Sequence, residues 1–134
     1  MATILLVEDD ATLADMYQLM LQMKGHTVLV SHNGKDAIAQ AQTSKPDAIL
    51  LDMMMPVLNG IETLKQMKAL PELSDIPVAM LSNLADDQQA EIAMLSGATK
   101  YVIKSNCTAD SLHDLVFGML QKKVPHTPPT QPPA

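Results

Sequence analysis

Short apolar runs alternate along the chain with longer stretches whose apolar residues recur at helical spacing. Residues 48–51 (AILL) carry no polar alternation, and Pro56 closes the region soon after. A run this short and apolar at every position suits a central strand covered on both faces. Thr3–Val7 has the same character and leads into the acids Glu8, Asp9 and Asp10. Leu13, Met16, Tyr17, Met20 and Leu21 then follow a helical period, with Gly25 as the stop, and the methionines of this helix are expected in the core. A second strand is predicted over 27–30, a turn at Asn33-Gly34, and an Ala- and Gln-rich helix over 35–42, with Lys45-Pro46 as punctuation. Gly60 opens a third helix, carrying Ile61, Leu64 and Met67 to about Leu70, and Pro71 closes it. A fourth strand over 76–81 is followed by a helix over 86–95 that stops at Gly97. Lys100–Ile103 forms the fifth strand, and the fifth helix, 110–122, repeats Leu112, Leu115, Val116, Met119 and Leu120 on one face.

Five strand–helix units without an internal repeat predict an α/β fold: a doubly wound, flavodoxin-like five-stranded parallel sheet, (βα)5, with strand order 2-1-3-4-5 and right-handed crossovers. At 134 residues this is one domain with one core, assigned to residues 1–123. In residues 124–134 five of eleven are Pro, a composition expected of a disordered tail or linker.

Composition narrows the function. A net charge of −6 argues against a nucleic-acid surface, which needs clustered Lys and Arg. The single Cys107 permits no internal disulfide and fits a reducing cytosol. The early apolar run is too short for a signal peptide, and no span approaches the ~18 residues of a membrane helix. The expectation is a soluble cytoplasmic domain. The eleven Met residues indicate an adaptable core or surface and no cofactor.

The chemistry emerges when the strand ends are aligned. Ligands of open parallel sheets collect beyond the carboxyl ends of the strands. There the first strand delivers Glu8 and Asp9, the third Asp52, the fourth Ser82 and the fifth Lys104. Strands one and three are adjacent at the switch point, so three carboxylates crowd one crevice. Two such charges ~4 Å apart repel by roughly 4 kcal/mol at an effective dielectric of about 20. A hard divalent cation relieves that repulsion, and an all-oxygen site with open positions suits Mg²⁺. A metal, a lysine and a hydroxyl around one Asp can stabilise a phosphoryl group on its carboxylate. Each residue alone also has a plainer reading: Asp52 as a turn aspartate, Asp10 as the cap of the first helix, Ser82 as a loop serine, Lys104 as an exposed lysine and Tyr101 as a half-buried aromatic. His26, His32, His113 and His126 show no metal spacing and no nucleophile partner.

VEDD at 7–10, LLDMMMP-x-x-NG at 50–60, LS at 81–82 and YVIK at 101–104 together resemble the receiver domain of two-component response regulators. The resemblance covers about residues 3–122. It implies a chemotaxis-regulator-like domain in which Asp52 accepts a phosphoryl group from a histidine kinase or phosphotransfer protein. It also implies that Asp9, Asp52 and the Met54 backbone carbonyl hold Mg²⁺ (or Mn²⁺), with Glu8 acting through water. Met54 and Asn83 would donate backbone N–H groups to the phosphate, and Lys104 would pair with it. Ser82 would be the switch hydroxyl and Tyr101 the switch aromatic, reshaping the partner-binding face of the fourth helix, fifth strand and fifth helix. Such a domain is no enzyme beyond self-phosphorylation from a phosphodonor and slow self-dephosphorylation. It meets protein partners, neither nucleic acid nor membrane, as a monomer or a phosphorylation-dependent dimer.

Several positions depart from the family pattern. Ser105 stands where a proline usually follows the lysine, often with a cis bond. A non-proline cis bond costs ~3 kcal/mol, so the Lys104–Ser105 peptide is expected to be trans, with the following loop displaced. Asn83 replaces a small residue and narrows access to the site. Met54 and Leu84, two positions after Asp52 and Ser82, are apolar and cannot orient a hydrolytic water, so a slow loss of phosphate is expected.

Other functions fit less well. A flavodoxin-like electron carrier needs a hydroxyl- and Gly-rich phosphate loop where this chain has EDDATLA. A phosphatase of the haloacid dehalogenase kind wants a second Asp where Met54 stands. A receiver cut from a longer regulator, or a non-phosphorylated pseudo-receiver that only binds protein, remain as alternatives.

Overall fold

The computed structural model describes residues 2–55, 58–83 and 85–122. Five strands, β1 (Thr3–Val7), β2 (Thr27–Ser31), β3 (Ala48–Asp52), β4 (Val78–Ser82) and β5 (Lys100–Ile103), form one parallel sheet in the order β2-β1-β3-β4-β5. Helices α1 (Ala11–Met23), α2 (Gly34–Ser44), α3 (Gly60–Ala69), α4 (Asp87–Leu95) and α5 (Ala109–Lys122) link and follow them. The expected architecture is the one found. The Pro-rich segment 124–134 lies outside the described residues.

The continuous apolar runs follow from the sheet's position between two helical layers. Successive strand residues point to opposite faces. Leu5, Val7, Ile49, Leu51, Val78 and Met80 therefore pack with residues of α2 and α3, and Ala93 of α4, on one side. Ile4, Leu6, Ala48, Leu50, Ala79 and Leu81 pack with α1 and α5 on the other.

Local chemistry sets the boundaries. Asp10 caps α1 as expected, its Oδ1 accepting from the N–H of Thr12 (2.9 Å) and Leu13 (3.1 Å). Asn59 and Glu62 form a capping box on α3. The fourth strand begins at Val78, two residues later than expected, because Pro77 has no N–H for the ladder and contributes only its carbonyl, to Ile49 N (3.0 Å). One expectation for α1 is corrected. Ala14, Tyr17 and Leu21 fill the core, while Met16 (41 % exposed) and Met23 (70 %) face outward.

Candidate functional site

The polar site continues the alternation of the strands. Glu8 follows Ile4 and Leu6, Asp52 follows Ala48 and Leu50, and Lys104 follows Val102, so all three extend the side of the sheet that packs on α1 and α5. Glu8 and Asp52 are buried although both carry ionisable carboxyl groups. Lys104 Nζ reaches both, at 2.8 Å from Glu8 Oε1 and 3.0 Å from Asp52 Oδ1. Asp52 Oδ1 also accepts from Met54 N (3.2 Å), and Glu8 Oε2 accepts from Asp10 N (3.2 Å).

One lysine between two buried carboxylates leaves negative charge in excess. Burial pushes the Asp52 carboxyl up, to about 7. The Glu8 charge adds to that rise, while Lys104 and the Met54 N–H work against it. For Lys104, burial is the largest influence and favours loss of the proton, but its bonds to Glu8 and Asp52 outweigh it and hold the ammonium above its ordinary range.

Carboxylate oxygens of Glu8, Asp9 and Asp52 lie within 4.8 Å of one another, with Asp9 exposed. Glu8 Oε1 is ion-paired with Lys104 Nζ at 2.8 Å and has no other polar partner among the described residues. An all-oxygen donor set, surplus negative charge and an unused buried lone pair fit a hard divalent cation.

Glu8, Asp9, Asp52, Met54, Asn83 and Lys104 line one cleft of about 190 Å³ together with Asp10 and Leu13. Ser82 opens onto an adjoining, more apolar cleft of about 420 Å³, which shares Met54 and Asn83 with the first. Tyr101 is half-buried beside Met80 on β5 and lines neither cleft. The sheet's alternation puts Ser82, like Met80, and Tyr101 toward the α2–α4 side, opposite Lys104. The Lys104–Ser105 peptide is trans, as expected, and the chain turns at once into a 3₁₀ segment, Lys104–Asn106. Leu84 lies outside the described residues.

A family model for the response regulator receiver domain matches residues 4–117. This chain belongs to that family. It is 39 % identical over 106 residues to the protein PilH of Pseudomonas aeruginosa, covering 78 % of this chain and 86 % of that one. It is 35 % identical over 101 residues to the DNA-binding response regulator MtrA of Mycobacterium tuberculosis, covering 75 % of this chain but 43 % of that relative's length. Among solved structures, the Vibrio cholerae chemotaxis protein CheY4 superposes with a TM-score of 0.84 at 28 % identity, over 90 % of this chain and 99 % of that one. A response regulator of Chloroflexus aurantiacus gives a TM-score of 0.85 at 28 % identity, over 90 % of this chain and 98 % of that one. Receiver domains as a family are phosphorylation-controlled signalling switches rather than enzymes, and generally bind Mg²⁺ at an acidic pocket; this chain brings Glu8, Asp9 and Asp52 together in an acidic cluster. Among the described residues no helix is long and apolar enough to cross a membrane.

Two features of this receiver domain were not anticipated from sequence. Glu8 makes a direct contact with Lys104 in addition to belonging to the acidic cluster with Asp9 and Asp52. Gly60 is a spacer: a Cβ there would lie 2.4 Å from the Asp52 carbonyl oxygen and 2.7 Å from Met53 Cα. Its N–H donates to Met53 O (3.1 Å), so the start of α3 is pressed against the end of β3. The Asn-Gly pair before the third helix was the available signal.

Proposed function

We propose that this domain is a signalling switch in the cytoplasm that takes a phosphoryl group onto Asp52 from the phosphohistidine of a histidine kinase or phosphotransfer protein. The observation that carries the reading is the approach of Lys104 Nζ to Glu8 Oε1 (2.8 Å) and Asp52 Oδ1 (3.0 Å) at the open edge of the sheet. A buried ammonium held between two carboxylates is a cation ready for an arriving anion. Asp9, Asp52 and the Met54 carbonyl would hold Mg²⁺ (or Mn²⁺), with Glu8 acting through water. When bound, the ion neutralises the carboxylates and the phosphoryl oxygens.

In the transfer, an Asp52 carboxylate oxygen bonds to phosphorus as the donor's phosphorus–nitrogen bond breaks, and the imidazole leaves with that electron pair. Asp52 must be ionised to attack, so its raised pKa of about 7 makes charge neutralisation a condition of reactivity. Lys104 pairs with a phosphoryl oxygen, and the N–H groups of Met54 and Asn83 complete the cradle. Ser82 then turns toward the phosphoryl group and Tyr101 moves with it. That reshapes the α4-β5-α5 face, through which a downstream protein is met by a monomer or a phosphorylation-dependent dimer. Met54, 71 % exposed and apolar, lines the acidic cleft without a group that orients water, which favours a long-lived phosphoryl state. Asn83 at the same rim narrows entry.

Incubation with acetyl phosphate and Mg²⁺ followed by intact mass should add one phosphoryl group to the wild type and none to Asp52→Asn or in EDTA. Uptake that survives Asp52→Asn would sink the assignment. For the lifetime, Met54→Asn should speed decay of the phosphoprotein; an unchanged rate counts against the apolar-rim explanation.

A further inference from the structure

Met54 is the most exposed methionine of the described residues at 71 %, and it stands between two nearly buried ones, Met53 (6 %) and Met55 (8 %). It lines both the acidic cleft and the apolar cleft beside it. Its N–H donates to Asp52 Oδ1 at 3.2 Å, which ties its backbone to the phosphoacceptor candidate, and its flexible side chain is left exposed. Met16, Met23 and Met94 are also exposed but sit on α1 and α4 and line neither cleft. Cys107, the competing sulfur, is half-buried, and burial pushes its thiol up, away from the reactive thiolate.

We infer that Met54 is a redox modification site: a peroxide-class oxidant converts its thioether to the sulfoxide, and the modified side chain shortens the lifetime of the phosphoryl group on Asp52. In the oxidation, a sulfur lone pair attacks one peroxide oxygen and the O–O bond breaks. The sulfur, oxidised by two electrons, keeps that oxygen, and the departing oxygen takes the proton that the transferred hydroxyl loses and leaves as water, or as an alcohol from an alkyl peroxide. The product is polar where the thioether was not. A sulfoxide oxygen is a strong hydrogen-bond acceptor, and at this rim it holds water beside the acyl phosphate, which the apolar side chain does not. Methionine sulfoxide reductases reverse the change, so the effect is a switch and no terminal damage.

This inference rests on phosphoryl transfer to Asp52, and the test separates the two. The full chain is treated with dilute hydrogen peroxide, mapped by peptide mass, charged with acetyl phosphate and Mg²⁺, and followed for loss of phosphate. Met54 and Met23 (71 % and 70 % exposed) should both gain one oxygen ahead of Met53 and Met55. Decay should accelerate about fivefold in oxidised wild type, the rate equivalent of one ordinary hydrogen bond. Each variant is compared with its own unoxidised form: Met23→Leu should keep the acceleration and Met54→Leu should lose it. Met54→Gln, which supplies a fixed amide acceptor, should decay fast before treatment and change little after it. An oxidised-to-unoxidised ratio near one in wild type, or the same ratio in Met54→Leu as in wild type, overturns the inference while phosphoryl transfer stands. Absence of uptake in the untreated wild type overturns both.

Discussion

Two ion-paired lysines show how differently the same chemistry behaves in two parts of this molecule. Lys24 at the end of α1 meets Asp110 in the first turn of α5, with side chains 34 % and 82 % exposed. Lys104 meets Glu8 and Asp52 with side chains 8 %, 1 % and 3 % exposed. Water screens the first pair, and the long Lys24 side chain gives up rotamer freedom to hold it, so it ties α1 to α5 only weakly. The second group has lost its water and is unbalanced by one negative charge. Burying ions this way costs stability unless every charge is answered, and here two carboxyl groups share one ammonium.

The contrast is broken most sharply at Lys104. Lys104→Met leaves two buried carboxylates facing each other, and should lower the stability of the metal-free protein at pH 8 by about 3–5 kcal/mol in urea unfolding, with Mg²⁺ restoring part. Gly60→Ala comes next: the added Cβ meets backbone at 2.4 Å, and the shift it forces should cost about 1–3 kcal/mol and slow phosphoryl uptake by displacing Asp52.

Asp52→Asn runs the other way. It removes the unmatched charge and leaves Glu8 with Lys104, so the metal-free protein at pH 8 should gain about 1–2 kcal/mol and lose its stabilisation by Mg²⁺. The same variant tests the pH dependence. The folded chain holds the Asp52 proton up to about 7, against 3.8 ordinarily, so it binds that proton more tightly than the unfolded chain does. Stability of the metal-free wild type in EDTA should therefore fall as pH rises from about 4 to about 7, and Asp52→Asn should flatten that slope. A rise across the window would mean that Lys104 outweighs burial. The smallest effect belongs to the surface pair: Lys24→Ala should leave the melting temperature unchanged at physiological salt, and a large drop there would erase the distinction between the two pairs.

How much of this was readable beforehand depends on whether the property is periodic. The apolar runs of β1, β3 and β4 and the polar residues that end them are periodic or positional, so the strands followed from sequence, and the convergence of Glu8, Asp9, Asp52 and Lys104 followed once the doubly wound order 2-1-3-4-5 was assumed. The cap at Asp10 was equally local. Orientation within α1 was not, because apolar residues occupy more than one face of that helix and Met16 satisfies the same spacing as Tyr17 while pointing outward. The Gly60 contact depends on how closely α3 approaches β3, which no spacing encodes. The Glu8–Lys104 contact depends on rotamers selected by burial.

The side-to-side alternation at the sheet edge has one more consequence. Glu8, Asp52 and Lys104 lie on one side of the sheet and Ser82 and Tyr101 on the other, so strand parity keeps the two groups apart. Deleting a single residue between Tyr101 and Lys104 would invert that parity. The ammonium would be carried to the opposite layer and uncoupled from Asp52, even if every strand still paired with its neighbours.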